Sequence, residues 1–313
     1  MGMKNDFGKI GVLMAGPSLE KKISLKSGRA VCAALKKGGF KVIPVIIKTD
    51  RVEDNLRLLK LKRIDCAFIA LHGRFGEDGG IQKILESLKI PYTGSKVKAS
   101  CLAMDKIASR KIFLRHGLKV PASKVLKKDS YNGMDLSELN LPLVVKPATH
   151  GSSIGLSIID QLEDIPQAIN LAFTFDKRII IEEYIKGREL TVGILEEEAM
   201  PVIEIVPKRV FFDYQAKYKK GLTDYIVPAK LNPLVASRVK RAALSAHRLL
   251  GCFGCSRVDI ILNERQEPFI LEVNTIPGLT ETSLLPKAAK KIGIDFTSLC
   301  LKLIKLAHAQ TKK

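Results

Sequence analysis

Long apolar runs are missing from this sequence of 313 residues. No run approaches the ~18 apolar residues that a helix needs to cross a bilayer. The first ten residues are charged, and no apolar signal-peptide segment follows them. We therefore expect a cytoplasmic protein that makes no use of a membrane.

Aromatic residues are scarce at 6%, and acids are few beside bases, with 32 Asp and Glu against 52 Lys and Arg and a net charge of +20. Such a charge raises a non-catalytic nucleic-acid binder as one hypothesis. The basic residues are scattered, however, and no nucleic-acid-binding module is recognisable. A solvated basic surface is favoured, with attraction of anionic small molecules as the sharper alternative. No nucleic-acid partner is expected.

Paired cysteine motifs are also lacking. A single C-x-x-C occurs at Cys252 and Cys255, which could indicate a metal or redox site. Neither a second C-x-x-C nor a nearby pair of histidines accompanies it. We expect reduced thiols that act as small core side chains. The cysteines are Cys32, Cys66, Cys101, Cys252, Cys255 and Cys300.

The first part of the chain alternates between strand and helix patterns, which predicts a parallel sheet. The predicted strands are Lys9–Met14, Lys41–Ile47 and Cys66–Leu71, and the predicted helices are Ser24–Gly38, Val52–Leu61 and Ile81–Leu88. Ligands of such sheets bind beyond the carboxyl ends of the strands. The loops at Ala15–Lys22 and His72–Gly80 lie there.

A break near Pro91–Ser95 separates this part from the rest, and one helix is predicted at Lys98–His116. Two short strands follow, joined by a loop rich in glycine and serine. A long polar loop from Pro207 to about Ala229 precedes a helix, a strand pair and a C-terminal helix. A loop of that length is usually functional or disordered, and its aromatic residues argue against a disordered linker.

The strand pair Arg257–Leu262 and Pro268–Asn274 carries the most informative pattern. If the hairpin loop is Glu264–Glu267, Asp259 lies opposite Glu272 and Arg257 lies opposite Asn274. Period-two alternation then places all four on one face. Facing carboxylates repel, so a divalent ion such as Mg²⁺ is one explanation. A charged face exposed to water is the other, and spacing alone leaves both open.

The loop between the two short strands reads Lys-Pro-Ala-Thr-His-Gly-Ser-Ser-Ile-Gly from Lys146. Backbone N–H groups of such a loop can cradle phosphate oxygens, and Lys146 adds a positive charge. The sequence contains no G-x-x-x-x-G-K-[ST] pattern. A plain turn between strands is the alternative for this segment taken alone.

Together these features resemble the D-alanine–D-alanine ligase family of the ATP-grasp superfamily over nearly the whole chain. The stretches that carry the resemblance are Ala70–Arg74, Gly76–Gly79, Pro91–Ser95, Met104–Lys106, Val145–Pro147, Gly151–Ser153, Asp213–Tyr218, Arg257–Asp259, Leu271–Thr275 and Pro277–Gly278. The resemblance implies an α/β fold, with an N-terminal parallel-sheet domain followed by a two-domain ATP-grasp fold. The implied domains are 1–95 for substrate binding, 96–181 for the central ATP-grasp part and 182–313 for the catalytic part.

The resemblance also implies roles for individual residues. The implied catalytic residues are Glu20, Ser152, Tyr218, Arg257 and Ser283. The implied ATP-binding residues are Lys106, Lys146, Ser153, Glu182, Glu183, Ile185, Glu189, Phe211 and Lys217. The implied substrate-binding residues are His72, Gly278 and Leu284, and the implied ligands of two Mg²⁺ ions, with Mn²⁺ as an alternative, are Asp259, Glu272 and Asn274.

The expected reaction joins two D-alanines through an acyl phosphate, with ATP as co-substrate, and supplies peptidoglycan synthesis. A homodimer is the assembly that the resemblance suggests. An ATP-grasp ligase for another carboxylate and amine is the competing enzyme hypothesis. The chain departs from the family pattern at Thr149 and His150, where Arg-Glu is usual, at Lys22, which replaces a common acid, and at Ala15, which replaces a glycine.

Overall fold

The computed structural model describes residues 7–130, 139–207 and 223–310. Its helices are α1 Lys21–Lys37, α2 Val52–Lys62, α3 Gly80–Ser87, α4 Val97–Met104, α5 Lys106–Arg115, α6 Ile165–Phe173, α7 Pro233–Leu249, α8 Leu284–Lys291 and α9 Phe296–Gln310. Its strands are β1 Lys9–Ala15, β2 Lys41–Ile47, β3 Cys66–Ile69, β4 Ser123–Lys127, β5 Leu143–Pro147, β6 Ser157–Ile159, β7 Arg178–Glu183, β8 Gly187–Leu195, β9 Glu198–Ala199, β10 Ile203–Pro207, β11 Thr223–Ile226, β12 Cys255–Asn263 and β13 Pro268–Asn274.

The N-terminal sheet is parallel, with strand order β2-β1-β3, as the alternating pattern predicts. Its central strand β1 is buried almost throughout because helices cover both faces. One face packs against α1 and the C-terminal helices α8 and α9. The other packs against α2 and α3. The sheet therefore presents the loops after β1 and β3 at one edge.

The second sheet is antiparallel, with order β4-β7-β5-β6. Helix α6 packs on it through Ile165, Ala168, Ile169, Ala172 and Phe173. The sequence analysis did not identify strand β4. The loop rich in glycine and serine joins β5 to β6, so its position is fixed by this hairpin.

The third sheet has the order β11-β10-β8-β12-β13, and β9 pairs with β8. Helix α7 packs on one face, where Leu190, Val192, Val258 and Ile260 are buried. The residues that alternate with these point to the opposite face. That face carries the acids of the candidate site.

Three predictions about local structure are wrong. The helix predicted at Lys98–His116 is two helices, because Asp105 adopts an extended conformation and accepts hydrogen bonds from the N–H groups of Ile107 and Ala108, at 2.9 and 3.0 Å. The predicted C-terminal helix is likewise two, α8 and α9. Part of the loop predicted at Pro207–Ala229 is strand β11, and residues 208–222 lie outside the described residues.

The cysteine prediction holds at five positions and fails at one. Cys32, Cys66, Cys252, Cys255 and Cys300 are buried, whereas Cys101 is exposed. The Cys101 thiol donates to the Asp78 carbonyl oxygen at 2.9 Å.

The three sheets follow one another along the chain in the order of the predicted domains. Strand β7 crosses the predicted boundary at 181/182, because it continues to Glu183. Over residues 7–130, 139–207 and 223–310, every helix is too short or too polar to span a bilayer.

Candidate active site

The β12–β13 hairpin brings the predicted metal ligands to one face. Asp259 lies opposite Glu272 and Arg257 lies opposite Asn274, as predicted. The turn itself is tighter than expected, because Asn263 and Glu267 already exchange hydrogen bonds. A β-bulge next to Asp259 shifts the register by one residue and compensates for the tighter turn.

The bulge has a structural consequence for the hairpin. It lets Ile270 face the core with Ile260 while Glu272, two residues further on, faces the opposite side. Without the extra residue one of the two would be on the wrong face. Strand β13 therefore places Ile270 in the core and Glu272 on the face of the candidate site.

Cations balance both acids of this face. Arg257 donates from Nε and Nη2 to the two carboxylate oxygens of Asp259 at 2.9 and 2.8 Å. Thr191 on β8 donates its hydroxyl to Asp259 Oδ1 at 2.6 Å. Lys106 lies 3.0 Å from Glu272 Oε2. Two adjacent carboxylates are stable here because each has a charged partner.

Lys106 owes its position to the break between α4 and α5. Because Asp105 caps the new helix, Lys106 is its first residue. Its N–H donates to the Ala148 carbonyl oxygen at 3.0 Å, and its ammonium donates to the His150 carbonyl oxygen at 2.8 Å. Lys106 therefore ties the loop between β5 and β6 to the acids of the third sheet.

A second charged cluster lies deeper, on the second sheet. Lys146 donates to Glu182 Oε1 at 2.7 Å, and Arg110 of α5 contacts Glu182 Oε2. All three residues are at most 7% exposed. Burial lowers the pKa of Lys146 to about 8, although Glu182 acts in the other direction. Lys146 and Arg110 hold the pKa of Glu182 below its ordinary value against the effect of burial.

The loop after β5 contains two consecutive non-glycine residues in the left-handed backbone conformation. Ser152 and Ser153 both have positive φ, at 54° and 57°, a conformation that non-glycine residues adopt at a cost in free energy. The Ser152 hydroxyl donates to Glu20 Oε1. Glu20 directly precedes α1 in the loop after β1, so this contact joins the first and second sheets.

Glu20 is buried beside the loop that follows β3. A side chain at Gly73 would collide with Glu20, since an added Cβ would lie 2.7 Å from Oε2. Burial, followed by the charge of Glu77, raises the pKa of Glu20. His72 contacts the Ser27 hydroxyl through Nε2 at 3.0 Å and lies 3.4 Å from Glu77 through Nδ1. His72 is close enough to Glu20 to act electrostatically on its carboxylate.

A cavity of about 930 Å³ opens at this region between the first and second sheets. Glu20, Gly73, Met104, His150 and Gly151 contribute to its wall. It is large enough for a small amino acid, with room to spare.

The segment Pro277–Leu284 leads into α8, whose residue Leu285 lies beside Gly193, the strand partner of Arg257. Ser283 precedes α8, and its Oγ accepts the Thr280 N–H at 3.1 Å. Gly278 lies against it, since an added Cβ would come 3.2 Å from Ser283 Oγ. Leu284 is the first residue of α8. A helix N-terminus of this kind attracts anionic groups.

The remaining predicted ATP-binding residues that the structure describes are Glu183, Ile185 and Glu189. Glu183 ends β7, and Ile185 lies in the short connection to β8. Glu189 pairs with Ile205 and shares the face of Thr191 and Asp259. Phe211, Lys217 and Tyr218 lie outside the described residues.

Sequence reasoning missed two residues of the site. Thr191 carries a detectable signal, because Glu189 and Thr191 alternate with the buried Leu190 and Val192 on one strand. The sequence gives no indication of the role of Arg110, because its contact with Glu182 joins a helix to a strand that is distant in sequence.

The donor set of the hairpin fits Mg²⁺. It consists of two carboxylates and one carboxamide, all hard oxygen donors on one face. Within the described ranges, no cluster of three or more His, Cys, Asp or Glu side chains could hold a metal ion. Phosphate oxygens of a nucleotide would complete the coordination of ions bound by this smaller set.

Two antiparallel sheets with two buried lysines and paired acids beside them, joined to an N-terminal parallel sheet, are typical of the ATP-grasp class of enzymes. The comparisons agree. Residues 112–305 match the model of the D-ala D-ala ligase C-terminus, and residues 52–95 match that of the N-terminus.

Whole-chain relatives give the same result. The chain is 46% identical to the D-alanine–D-alanine ligase of Pelotomaculum thermopropionicum, with 96% of each chain covered. It is 47% identical to that of Geotalea uraniireducens, over 96% of this chain and 95% of the relative. The crystal structure of the Bacillus anthracis ligase complexed with ATP superposes with a TM-score of 0.86 at 34% identity, covering 97% of this chain and 98% of that one. The chain belongs to the D-alanine–D-alanine ligase family.

Proposed function

We propose that this chain uses ATP to join two D-alanine molecules into D-alanyl-D-alanine, which supplies peptidoglycan synthesis. The observation that carries the proposal is the hydrogen bond from Ser152 to Glu20. It joins a phosphate-cradling loop to a buried acid suited to an amino group. A general ATP-grasp ligase needs the first of these, and a D-alanine ligase needs both.

The first D-alanine binds beside Glu20 and His72. Its ammonium faces the Glu20 carboxylate, whose burial makes it receptive to a positive charge because no bulk water neutralises it. The bound ammonium in turn favours the ionised form of Glu20. The substrate carboxylate is thereby directed toward the loop at Gly151–Ser153.

The first chemical step activates that carboxylate. One carboxylate oxygen attacks the γ-phosphorus of ATP, the bond to the ADP oxygen breaks, and an acyl phosphate forms. Lys106 and Lys146 hold the phosphates and neutralise the charge that moves to ADP. Asp259, Glu272 and Asn274 would hold Mg²⁺, which supplies further neutralisation of the phosphate oxygens when bound.

The second step forms the peptide bond. The neutral amine of the second D-alanine attacks the acyl carbon, the bond from that carbon to the phosphate oxygen breaks, and the departing phosphate takes up the proton that the amine loses. Arg257 and the Gly278 N–H stabilise the oxyanion of the tetrahedral intermediate. Ser283 and Leu284 at the start of α8 hold the carboxylate of the second D-alanine.

The adenine lies near the end of β7. Glu182 accepts from its amino group, backbone groups of Glu183 and Ile185 complete the contact, and Glu189 binds the ribose. Tyr218 belongs to the network of Ser152 and Glu20, Lys217 binds ATP and Phe211 packs on the adenine. The reaction takes place in the cytoplasm, and the chain forms a homodimer.

The experiment is a phosphate-release assay with ATP and single or paired substrates. We expect release with D-alanine, little with L-alanine, and little added release when D-lactate is offered as the second substrate. The product mass should be that of D-alanyl-D-alanine. Release that depends on another carboxylate and amine, but not on D-alanine, would contradict the proposed substrate.

A further inference from the structure

The buried cluster of Lys146, Glu182 and Arg110 contains one residue to which the reaction assigns no role. Arg110 is 4% exposed and contacts Glu182 Oε2, whereas Lys146 occupies Oε1. Nε and Nη1 of Arg110 have no hydrogen-bond partner within the described part of the chain. Buried donors without partners are rare in proteins, so a guanidinium held here calls for an explanation.

Helix α5 places two of its cations at different ends of the site. Lys106 and Arg110 are four residues apart and therefore lie on one face of the helix, separated by roughly 6 Å along its axis. Lys106 reaches Glu272 among the proposed metal ligands. Arg110 reaches Glu182, the proposed adenine contact. One helix thus serves the phosphate end and the base end of the nucleotide.

The two cations on Glu182 respond differently to ATP. Lys146 is drawn toward the phosphates in the proposed reaction, and its departure frees Oε1 of Glu182. Arg110 has no such second partner, so its contact with Oε2 can persist. The charge of Glu182 then depends on Arg110 at the moment when the base is bound.

The charge of Glu182 decides what the base site can accept. An ionised carboxylate only accepts hydrogen bonds, which matches the exocyclic amino group of adenine. A protonated carboxyl group also donates, which matches the O6 oxygen of guanine. We propose that Arg110 is a specificity-determining residue, which selects ATP over GTP by keeping Glu182 ionised and oriented through Oε2.

The direction of the Glu182 pKa agrees with this geometry. Burial alone would raise that pKa and favour the neutral acid. Lys146 and Arg110 more than offset the effect of burial. The charged groups that face Glu182 are Lys146 on β5 and Arg110 on α5. Lys106, also on α5, acts electrostatically on Lys146. With Arg110 removed and Lys146 drawn to phosphate, burial raises the pKa of Glu182 and favours its neutral form.

This inference rests on the proposed function, because it requires that Glu182 contacts the base. The test compares ATP and GTP as phosphoryl donors in D-alanine-dependent phosphate release, with kcat/KM measured for each from pH 6 to 9. Any titration of Lys146 affects both nucleotides alike, because it contacts the phosphates that they share. The ratio of the two kcat/KM values therefore isolates the base site.

In Arg110→Met the ATP-to-GTP ratio should fall about ten-fold, the value of one hydrogen bond to a charged group. The ratio in this variant should also rise with pH as Glu182 loses its proton, whereas the wild-type ratio should stay flat. Arg110→Lys keeps the charge and should restore most of the selectivity. Arg248→Gln removes an arginine that pairs with Glu197 on the surface and should leave the ratio unchanged.

An unchanged ratio in Arg110→Met would overturn the inference, as would a lowered ratio that does not vary with pH, which indicates a merely structural role. If Arg110→Met does not fold, Glu182→Gln gives a second test. Its amide both donates and accepts, so its ratio should be low at every pH, and a wild-type ratio would refute the idea. A wild-type enzyme with no D-alanine-dependent turnover would instead refute the proposed function, and binding of ADP and GDP by calorimetry would still test Arg110.

Discussion

Glu182 on the second sheet and Asp259 on the third are both buried acids that contact an arginine. Glu182 is held by Arg110 and Lys146, which come from a packed helix and the neighbouring strand. Asp259 and Glu272 contact Arg257 and Lys106, two residues to which the proposed reaction assigns further roles. In the proposed reaction Arg110 remains the partner of Glu182, whereas bound Mg²⁺ would share Asp259 and Glu272 with Arg257 and Lys106. We call Lys146, Glu182 and Arg110 the buried cluster. We call Asp259, Glu272, Arg257 and Lys106 the exchangeable cluster, because its acids would change partners when metal binds.

The largest effect should come from removing an acid of the exchangeable cluster. Asp259→Asn and Glu272→Gln should each lower kcat by at least about 100-fold, because the charge that moves to ADP loses its counterion. The melting temperature should change little, since the amides keep the shape of the acids. Phosphate release and a thermal melt measure the two quantities. Glu264→Gln in the turn of the same hairpin is the control, and near-normal turnover in either acid variant would remove the distinction between the clusters.

Arg257→Lys separates two roles for the arginine of the exchangeable cluster. If Arg257 only neutralised Asp259, a lysine would suffice and kcat would fall a few-fold. As an oxyanion donor, its replacement should lower kcat by roughly 100-fold, with the Kd for ATP unchanged. Single-turnover kinetics with pre-bound ATP reports the chemical step. Arg248→Lys on the surface should behave as wild type.

The pH dependence of ATP binding tests the buried cluster. In the proposed function Lys146 binds phosphate as an ammonium ion, and burial lowers the pKa of Lys146 in the free protein to about 8. Affinity should therefore be highest below pH 8 and should fall by up to about ten-fold per pH unit above it. Calorimetric titration with ATP from pH 6 to 10 measures this. Lys146→Arg stays charged, so its affinity should lose the dependence; a variant curve that follows the wild type would point to another group.

The smallest effect should come from Thr191→Val. This change keeps the size of the side chain but removes the hydroxyl that donates to Asp259 at 2.6 Å. The loss of one hydrogen bond to a carboxylate amounts to about 1.5–3 kcal/mol if nothing replaces it. Because Arg257 still holds Asp259, we expect the lower end, a drop of roughly ten-fold in kcat/KM. Thr223→Val, at the edge of the same sheet, serves as the control.

The strand pairing of the hairpin in the third sheet was predicted correctly from the sequence, whereas the length of its turn was not. The pairing of Asp259 with Glu272 was predicted from a four-residue loop, whereas the chain forms a shorter turn and restores the pairing with a bulge. The alternation of acids and apolar residues was the robust signal, since a slip by one residue would bury the acids.

Other parts of the site depend on long-range packing that a sequence does not reveal. The break at Asp105 was predictable in principle, because an aspartate at that place is a good helix cap. The contact between Arg110 and Glu182 was not, because it arises only when α5 packs on β7. The structure was therefore needed to find the contact between Arg110 and Glu182 at the proposed base site.

The most direct test of the exchangeable cluster is a count of bound metal ions. Mn²⁺ binding can be measured by electron paramagnetic resonance in the presence of a non-hydrolysable ATP analogue, with wild type and Glu272→Gln side by side. We expect two Mn²⁺ ions per wild-type chain and weakened binding of at least one of them in the variant. Equal stoichiometry and equal affinity in the two proteins would contradict it.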